Sequence, residues 1–178
     1  MARDSKKSDG VRIPPQSLDA EMSVLGSLML DKEAIFRIAD TLHPSDFYKN
    51  AHQTIFQAML DLVEKREPTD VISVKNRLRE KKELDAIGGM SYLASLVNLV
   101  PTSSNVHHYA KTVSRKKVNR DLIDAASVIS EMAYDEKRDV EKLLDEAEQK
   151  IFRISHSSLP QNFVHVKDSL DEAWQRIE

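Results

Sequence analysis

The 178-residue chain has 40% hydrophobic and 31% charged residues and a net charge of −3, which is enough apolar material for one packed domain with an appendage and excludes wholesale disorder. Cysteine is absent, which excludes disulfides and thiolate metal sites. The slight acidity argues against a dedicated duplex-binding surface, whose affinity would come from released counterions.

The polar start, residues 1–13, lacks the apolar core of a secretory signal and is expected to be a flexible tail. No apolar run approaches the roughly 20 residues that span a bilayer, so no membrane segment and a cytoplasmic location are expected. Pro14 and Pro15 close the tail, and Ser17 is placed to cap a helix over 18–30. Leu18, Met22, Leu25 and Met29 recur there at helical spacing. Gly26 lies inside this helix, where glycine costs about 1 kcal/mol against alanine. Close approach of another helix is the expected compensation.

Asp31 is placed to cap a helix over 32–42, with Ile35, Ile38, Ala39 and Leu42 inward, stopped by His43-Pro44. A short turn over 46–49 carries Phe47 and Tyr48. Asn50 then caps 51–65, where Ile55, Met59, Leu62 and Val63 form the apolar stripe. Glu67-Pro68 breaks the chain, and Thr69 or Asp70 caps 71–82. Leu84, Ile87 and the Gly88-Gly89 pair make a tight turn before a helix over 90–100, ended by Pro101. Helices this short cannot stand alone and must be held by packing.

Beyond Pro101 the pattern changes. No glycine or proline interrupts 105–134, so a helix of roughly 45 Å is predicted. Its apolar face rotates midway, from Val106, Ala110 and Val113 to Val118, Leu122, Ala125, Ile129 and Met132. After a charged turn, Asp139 caps 140–154, with Val140, Leu143, Leu144, Ala147, Ile151 and Ile154 on one face. Two long helices across a short turn make an antiparallel hairpin. Residues 155–165 read as a linker. Residues 166–178 read as the start of a linker helix whose Leu170, Trp174 and Ile177 would dock on another chain or fold back on the hairpin. The expected fold is all-α: a compact orthogonal bundle of short helices over 14–104, a long antiparallel hairpin over 105–154, and a linker helix.

The sequence holds neither a Gly-x-x-x-x-Gly-Lys-Ser/Thr phosphate loop nor a Gly-x-Ser-x-Gly nucleophile elbow, so this chain is not expected to be an enzyme. His107 and His108 are neighbours and point about 100° apart on a helix, and His52 has no acid one turn away, so no metal site is expected. Asp46 and Asp70 fit capping better than catalysis. Lys111, Arg115, Lys116, Lys117 and Arg120 form a basic run with no acid among positions 111–120. It has no interleaved aromatic for base stacking, so a solvated face is preferred to a nucleic-acid contact.

Ile13-Pro14-Pro15-Gln16-Ser17-Leu18-Asp19-Ala20-Glu21, followed by Ser23-Val24-Leu25-Gly26-Ser27, resembles the opening of DnaB-type replicative DNA helicases. Asp46-Phe47-Tyr48 with His52, Ile55 and Phe56 continues the likeness, as do Pro68-Thr69-Asp70 and Glu83-Leu84-Asp85 with Gly88-Gly89. Tyr92-Leu93, Leu96, Pro101, Asn105, Tyr109 and Ala110 follow in order. Leu144-Asp145, Ala147-Glu148 and Ile151-Phe152 complete it, so the match covers residues 13–154. One departure is Arg66-Glu67, where a more flexible turn would be expected before Pro68.

The resemblance implies the non-catalytic N-terminal collar of a hexameric helicase that unwinds DNA with ATP and Mg. It implies that the motor domain follows residue 178 in the parent protein and holds those cofactors, with none in this chain. Expected partners are further copies of the chain, the C-terminal domain of primase and a helicase loader, with DNA bound only weakly or through the whole ring. The subunit and primase interface is expected at Val113, Lys116, Lys117, Val118, Arg120, Leu122, Ile129, Leu143 and Ile151. Two rivals are a stand-alone helical module for single-stranded DNA and a small enzyme using Asp46, His52 and Asp70.

Overall fold

The computed structural model describes residues 13–100 and 102–158. Six α-helices carry the fold among them: α1 (Leu18–Leu30), α2 (Asn50–Glu64), α3 (Val71–Glu80), α4 (Gly89–Leu99), α5 (Val106–Ala133) and α6 (Val140–Ser158). Three single 3-10 turns, Ile35–Arg37, Pro44–Asp46 and Ser103–Asn105, join them. No strand occurs among the described residues, as the all-α reading requires. The expected linker helix with Leu170, Trp174 and Ile177 lies outside the described residues, as does most of the tail.

α1 spans the residues its spacing indicates, but Ser17 at the N-cap position makes no side-chain capping bond. The expected helix over 32–42 does not form; turns and the 3-10 segment Ile35–Arg37 replace it. Ile35, Ile38 and Leu42 still enter the core, joined by Ala34, while Ala39 is exposed. Asp31 explains the difference. Its carboxylate accepts from Glu33 N and from Ser103 Oγ and pairs with Arg37, which fixes a compact turn instead of a helical one.

The remaining corners follow cap chemistry. Asp70 caps α3 by accepting from Ile72 N and Ser73 N, each at 3.0 Å. Asn50 is not the cap of α2 but its first residue, behind Lys49. Thr69 Oγ1 donates to Leu28 O at 3.0 Å and so satisfies a carbonyl that the end of α1 leaves without a helical partner.

The chain divides into two compact units at 123/124, inside α5. The part of α5 up to Ile123 belongs to the first unit, with Val106, Ala110 and Val113 buried in its core. That core is centred on Val24, Leu25, Leu28, Ile55, Phe56, Met59, Leu78 and Leu93. In the second unit, Ala125 and Met132 are buried and Ile129, Leu143, Ala147 and Ile154 are half-buried. α6 runs to Ser158, four residues past the expected end at 154, so the start of the expected linker is helical.

Candidate assembly and docking surfaces

α6 is amphipathic, but its apolar residues do not all share one environment. At about 100° per residue, Leu143, Ala147 and Ile154 form a half-covered stripe. Val140, Leu144, Ile151 and Phe152 stand beside it and are exposed, Leu144 by 61% and Phe152 by 59%. Leu144, Ala147, Glu148, Ile151, Phe152 and Ser155 line a shallow apolar groove on this side. Val128 and Tyr134 add exposed apolar surface within the same unit. Uncovered apolar surface of this kind suits a protein contact.

The basic run of α5 separates into two groups. Lys117 pairs with Asp121. Arg120 donates to the Pro15 carbonyl at 2.9 Å and the Asp46 carbonyl at 2.6 Å, and lies 5.6 Å from the centre of the Tyr48 ring. It therefore latches the entry segment and the Asp46 turn to α5. Lys111 and Arg115 are exposed and Lys116 half-buried, and no carboxylate among the described residues pairs with them.

Several expected interface residues are thus placed differently. Val113 is buried in the globule and is removed from any outer surface of the chain. Lys117 and Arg120 are engaged internally. Val118, Ile129 and Leu143 are half-buried, and Leu122 and Ile151 are exposed. The sequence reading missed Leu144 and Phe152, which the exposed side of α6 presents. Their signal was available: α6 carries more apolar positions than one covered stripe can use.

The second feature missed in sequence is a buried polar cluster at the head of α2. Glu21 of α1 is 2% exposed and His52 of α2 is 1% exposed. His52 Nδ1 lies 2.6 Å from Glu21 Oε2, and its Nε2 lies 2.7 Å from Tyr92 Oη of α4. The Glu21 carboxylate also accepts from Tyr48 N at 2.7 Å and Lys49 N at 3.4 Å. It serves the start of α2 from a distant helix, where the Asn50 side chain was expected. Lys49 Nζ donates to Tyr92 Oη at 2.9 Å and closes the cluster on the solvent side.

No three metal-ligating side chains converge among the described residues. Asp46 and Asp70 cap turns: Asp46 Oδ2 accepts from His43 N at 2.8 Å, and neither forms a hydrogen bond with His52. Burial pushes the Asp46 carboxyl above the usual carboxylate range, opposed by the His43 N–H and the charges of His43 and Lys117, and reinforced by Asp121. No described helix is long and apolar enough to cross a membrane.

These features define the class first: an all-α domain whose second unit presents an amphipathic helical arm with an uncovered apolar face. Residues 13–115 match the family model of the DnaB-like helicase N terminal domain, and the chain belongs to that family. It is 42% identical over 167 residues to the replicative DNA helicase DnaB of Geobacillus stearothermophilus, covering 94% of this chain and 37% of that one. It is 38% identical to the replicative DNA helicase DnaC of Bacillus subtilis (strain 168) over the same shares. The chain thus spans little more than a third of these relatives' length.

Among solved structures, the N-terminal domain of DnaB helicase from Mycobacterium tuberculosis superposes with a TM-score of 0.75 at 39% identity, covering 79% of this chain and 99% of that one. A DnaB-like replicative helicase whose structure is described together with its interactions with primase gives a TM-score of 0.70 at 27% identity, covering 90% of this chain and 36% of that one.

Proposed function

We propose that this chain serves as the non-catalytic collar of a hexameric replicative helicase, assembling the ring and docking the C-terminal domain of primase at the fork. The observation that carries this is the uncovered apolar stripe of α6, Val140, Leu144, Ile151 and Phe152. A folded chain that leaves such residues in water reserves them for another protein surface. A similar DnaB-like replicative helicase, described with its interactions with primase, supports primase as the partner class.

In this reading the parent protein is an ATP-dependent DNA helicase that works in the cytoplasm. ATP and Mg act outside these residues, since the sequence has no phosphate loop. Of the expected interface residues, Lys116, Val118, Leu122, Ile129, Leu143 and Ile151 remain candidates, with Leu144 and Phe152 added. The capture of Lys117 and Arg120 inside the chain speaks against the rival single-stranded DNA module, because it removes two of its five cations.

The test is the mass of the 178-residue chain by light scattering, alone and mixed with a primase C-terminal domain. A mass above one chain that rises on mixing supports the collar. A monomer that ignores primase overturns it.

A further inference from the structure

Residues 46–49 lead from the Pro44–Asp46 turn into α2, and side chains of three helices hold their backbone. Arg120 of α5 donates to the Asp46 carbonyl at 2.6 Å. Gln53 Nε2 of α2 donates to the Phe47 carbonyl at 2.7 Å. The amides of Tyr48 and Lys49 donate to the Glu21 carboxylate of α1. Between these holds the Phe47 side chain is buried, its ring centre 5.1 Å from that of Phe56. Backbone polar groups taken out of water need partners, and this corner draws its partners from far along the chain.

The two outer grips meet only through the corner. No hydrogen bond or ion pair joins Arg120 to Glu21 or to His52. Yet the Arg120 guanidinium lies 5.6 Å from the centre of the Tyr48 ring, while Glu21 holds the amide of the same tyrosine at 2.7 Å. Behind Glu21 stand His52 and then Tyr92, so the second grip extends to α4.

We propose that the 46–49 corner is a coupling element, through which the Arg120 latch and the Glu21–His52–Tyr92 cluster loosen and tighten together. Loss of the Arg120 bonds frees the Asp46 carbonyl and the Tyr48 ring, which weakens the hold of Glu21 on the next two amides. Loss of the Glu21 bonds lets the same tyrosine leave the guanidinium. α5 runs on past Arg120 to Ala133, across the boundary at 123/124. A displacement of α5 therefore enters the globule at this corner and reaches α1, α2 and α4 together, carried by a contiguous set of hydrogen bonds.

The experiment is a double-mutant cycle in the 178-residue chain, Arg120→Met against Glu21→Gln, read by urea unfolding and by amide hydrogen exchange. Independent sites multiply their effects on the unfolding constant. The proposal expects the double variant to fall short of that product by about threefold or more, because the second change removes a grip already weakened by the first. It also expects Arg120→Met to speed exchange at the Tyr48 and Lys49 amides, whose bonds go to Glu21, about tenfold more than at the Leu78 amide of α3. That comparison separates local opening of the corner from a general loss of stability. Should Arg120→Met not fold, Arg120→Lys takes its place, since a single ammonium cannot replace the forked guanidinium. Should Glu21→Gln not fold, the exchange comparison alone decides. A smaller shortfall in the cycle, or Tyr48 and Lys49 amides that speed no more than Leu78, overturns the coupling and leaves two separate anchors.

Discussion

Gly26 and Leu96 meet with no room for a side chain: a Cβ on Gly26 would stand 2.2 Å from the Leu96 carbonyl oxygen and 2.7 Å from Val100 Cγ2. The obstacle is backbone, so it cannot swing aside. α1 and α4 pass this closely only because position 26 carries hydrogen. Gly26→Ala gains about 1 kcal/mol of helix propensity but forces the two helices apart. Overpacking of this kind costs about 1–3 kcal/mol or somewhat more. The expected outcome in urea melts is a net loss, larger for Gly26→Leu. An unchanged midpoint for Gly26→Leu would remove close approach as the reason for this glycine.

The Glu21–His52–Tyr92 cluster ties α1, α2 and α4 together at one buried point. His52→Leu leaves the Glu21 carboxylate with only the Tyr48 and Lys49 amides and leaves Tyr92 Oη with Lys49 alone. Removing one partner of a buried hydrogen bond costs about 1–3 kcal/mol. Because the two share one interaction, Glu21→Leu combined with His52→Leu should cost less than the two single changes added. Strict additivity in a double-mutant cycle would show that the hydrogen bond contributes nothing.

Two aspartates give the acid limb of stability opposite signs. Burial raises the Asp61 carboxyl, but hydrogen bonds from Gln57, Arg77 and Lys81, with the Lys81 charge, outweigh it and hold the group below its ordinary range. The folded state therefore binds the Asp61 proton less readily than the unfolded chain. Its contribution is present above the ordinary aspartate value of about 3.9 and is lost as pH falls through the lower folded value. Asp46 is shifted upward, mainly by burial, so its stabilising share is present at low pH and is lost as pH rises through its folded value. Asp61→Asn should lower stability at pH 7 and flatten the acid limb. Asp46→Asn should raise stability at pH 7 and change nothing at the acid end, since its Oδ1 can still accept from His43 N. Melts between pH 2 and 7 check both; a gain from Asp61→Asn at pH 7 would reverse the sign assigned to it.

Where periodicity and caps agree, the fold is legible from residues alone. α1 begins at Leu18 and ends at Leu30 as its stripe implies, and Gly26 signals its tight neighbour. The segment after Asp31 misleads because Ile35, Ile38 and Leu42 keep helical spacing while the Asp31 carboxylate, through Arg37 and Ser103, holds a tighter turn. Ser103, the one partner distant in sequence, is out of reach of a periodicity argument. The Glu21–His52 pair is invisible for the same reason: a search for acids one helical turn from His52 cannot see an acid 31 residues away. On α6, apolar pattern identifies the helix, but Leu143 and Leu144 are neighbours in sequence and straddle the edge of the covered stripe. Spacing cannot say which of them meets water. The same limit hid the split of the basic run, in which Arg120 bonds carbonyls of Pro15 and Asp46 that lie 105 and 74 residues away.

Arg66 and Lys82 both adopt left-handed backbone, each with φ of 59°. Each closes the helix before it in the same way. Arg66 N donates to Val63 O at 2.9 Å and Glu67 N to Leu62 O at 2.8 Å; Lys82 N donates to Arg79 O at 3.0 Å and Glu83 N to Leu78 O at 2.9 Å. This paired bonding satisfies the last carbonyls of α2 and α3 and asks for glycine at its centre, because a side chain there crowds the following carbonyl. Arg66 also belongs to the Arg66-Glu67 pair, which stands where a more flexible turn is expected before Pro68. The crowding costs about 1–2 kcal/mol, against which glycine's extra freedom in the unfolded chain returns about 0.5–1. Arg66→Gly and Lys82→Gly should therefore each stabilise by about 0.5–1 kcal/mol, and the two should add, since they close different helices. Arg66→Val should lose stability, because a β-branched residue tolerates positive φ least. Urea midpoints for the three variants check the ordering. A loss on Arg66→Gly would mean that the arginine side chain holds a contact worth more than the strain it imposes.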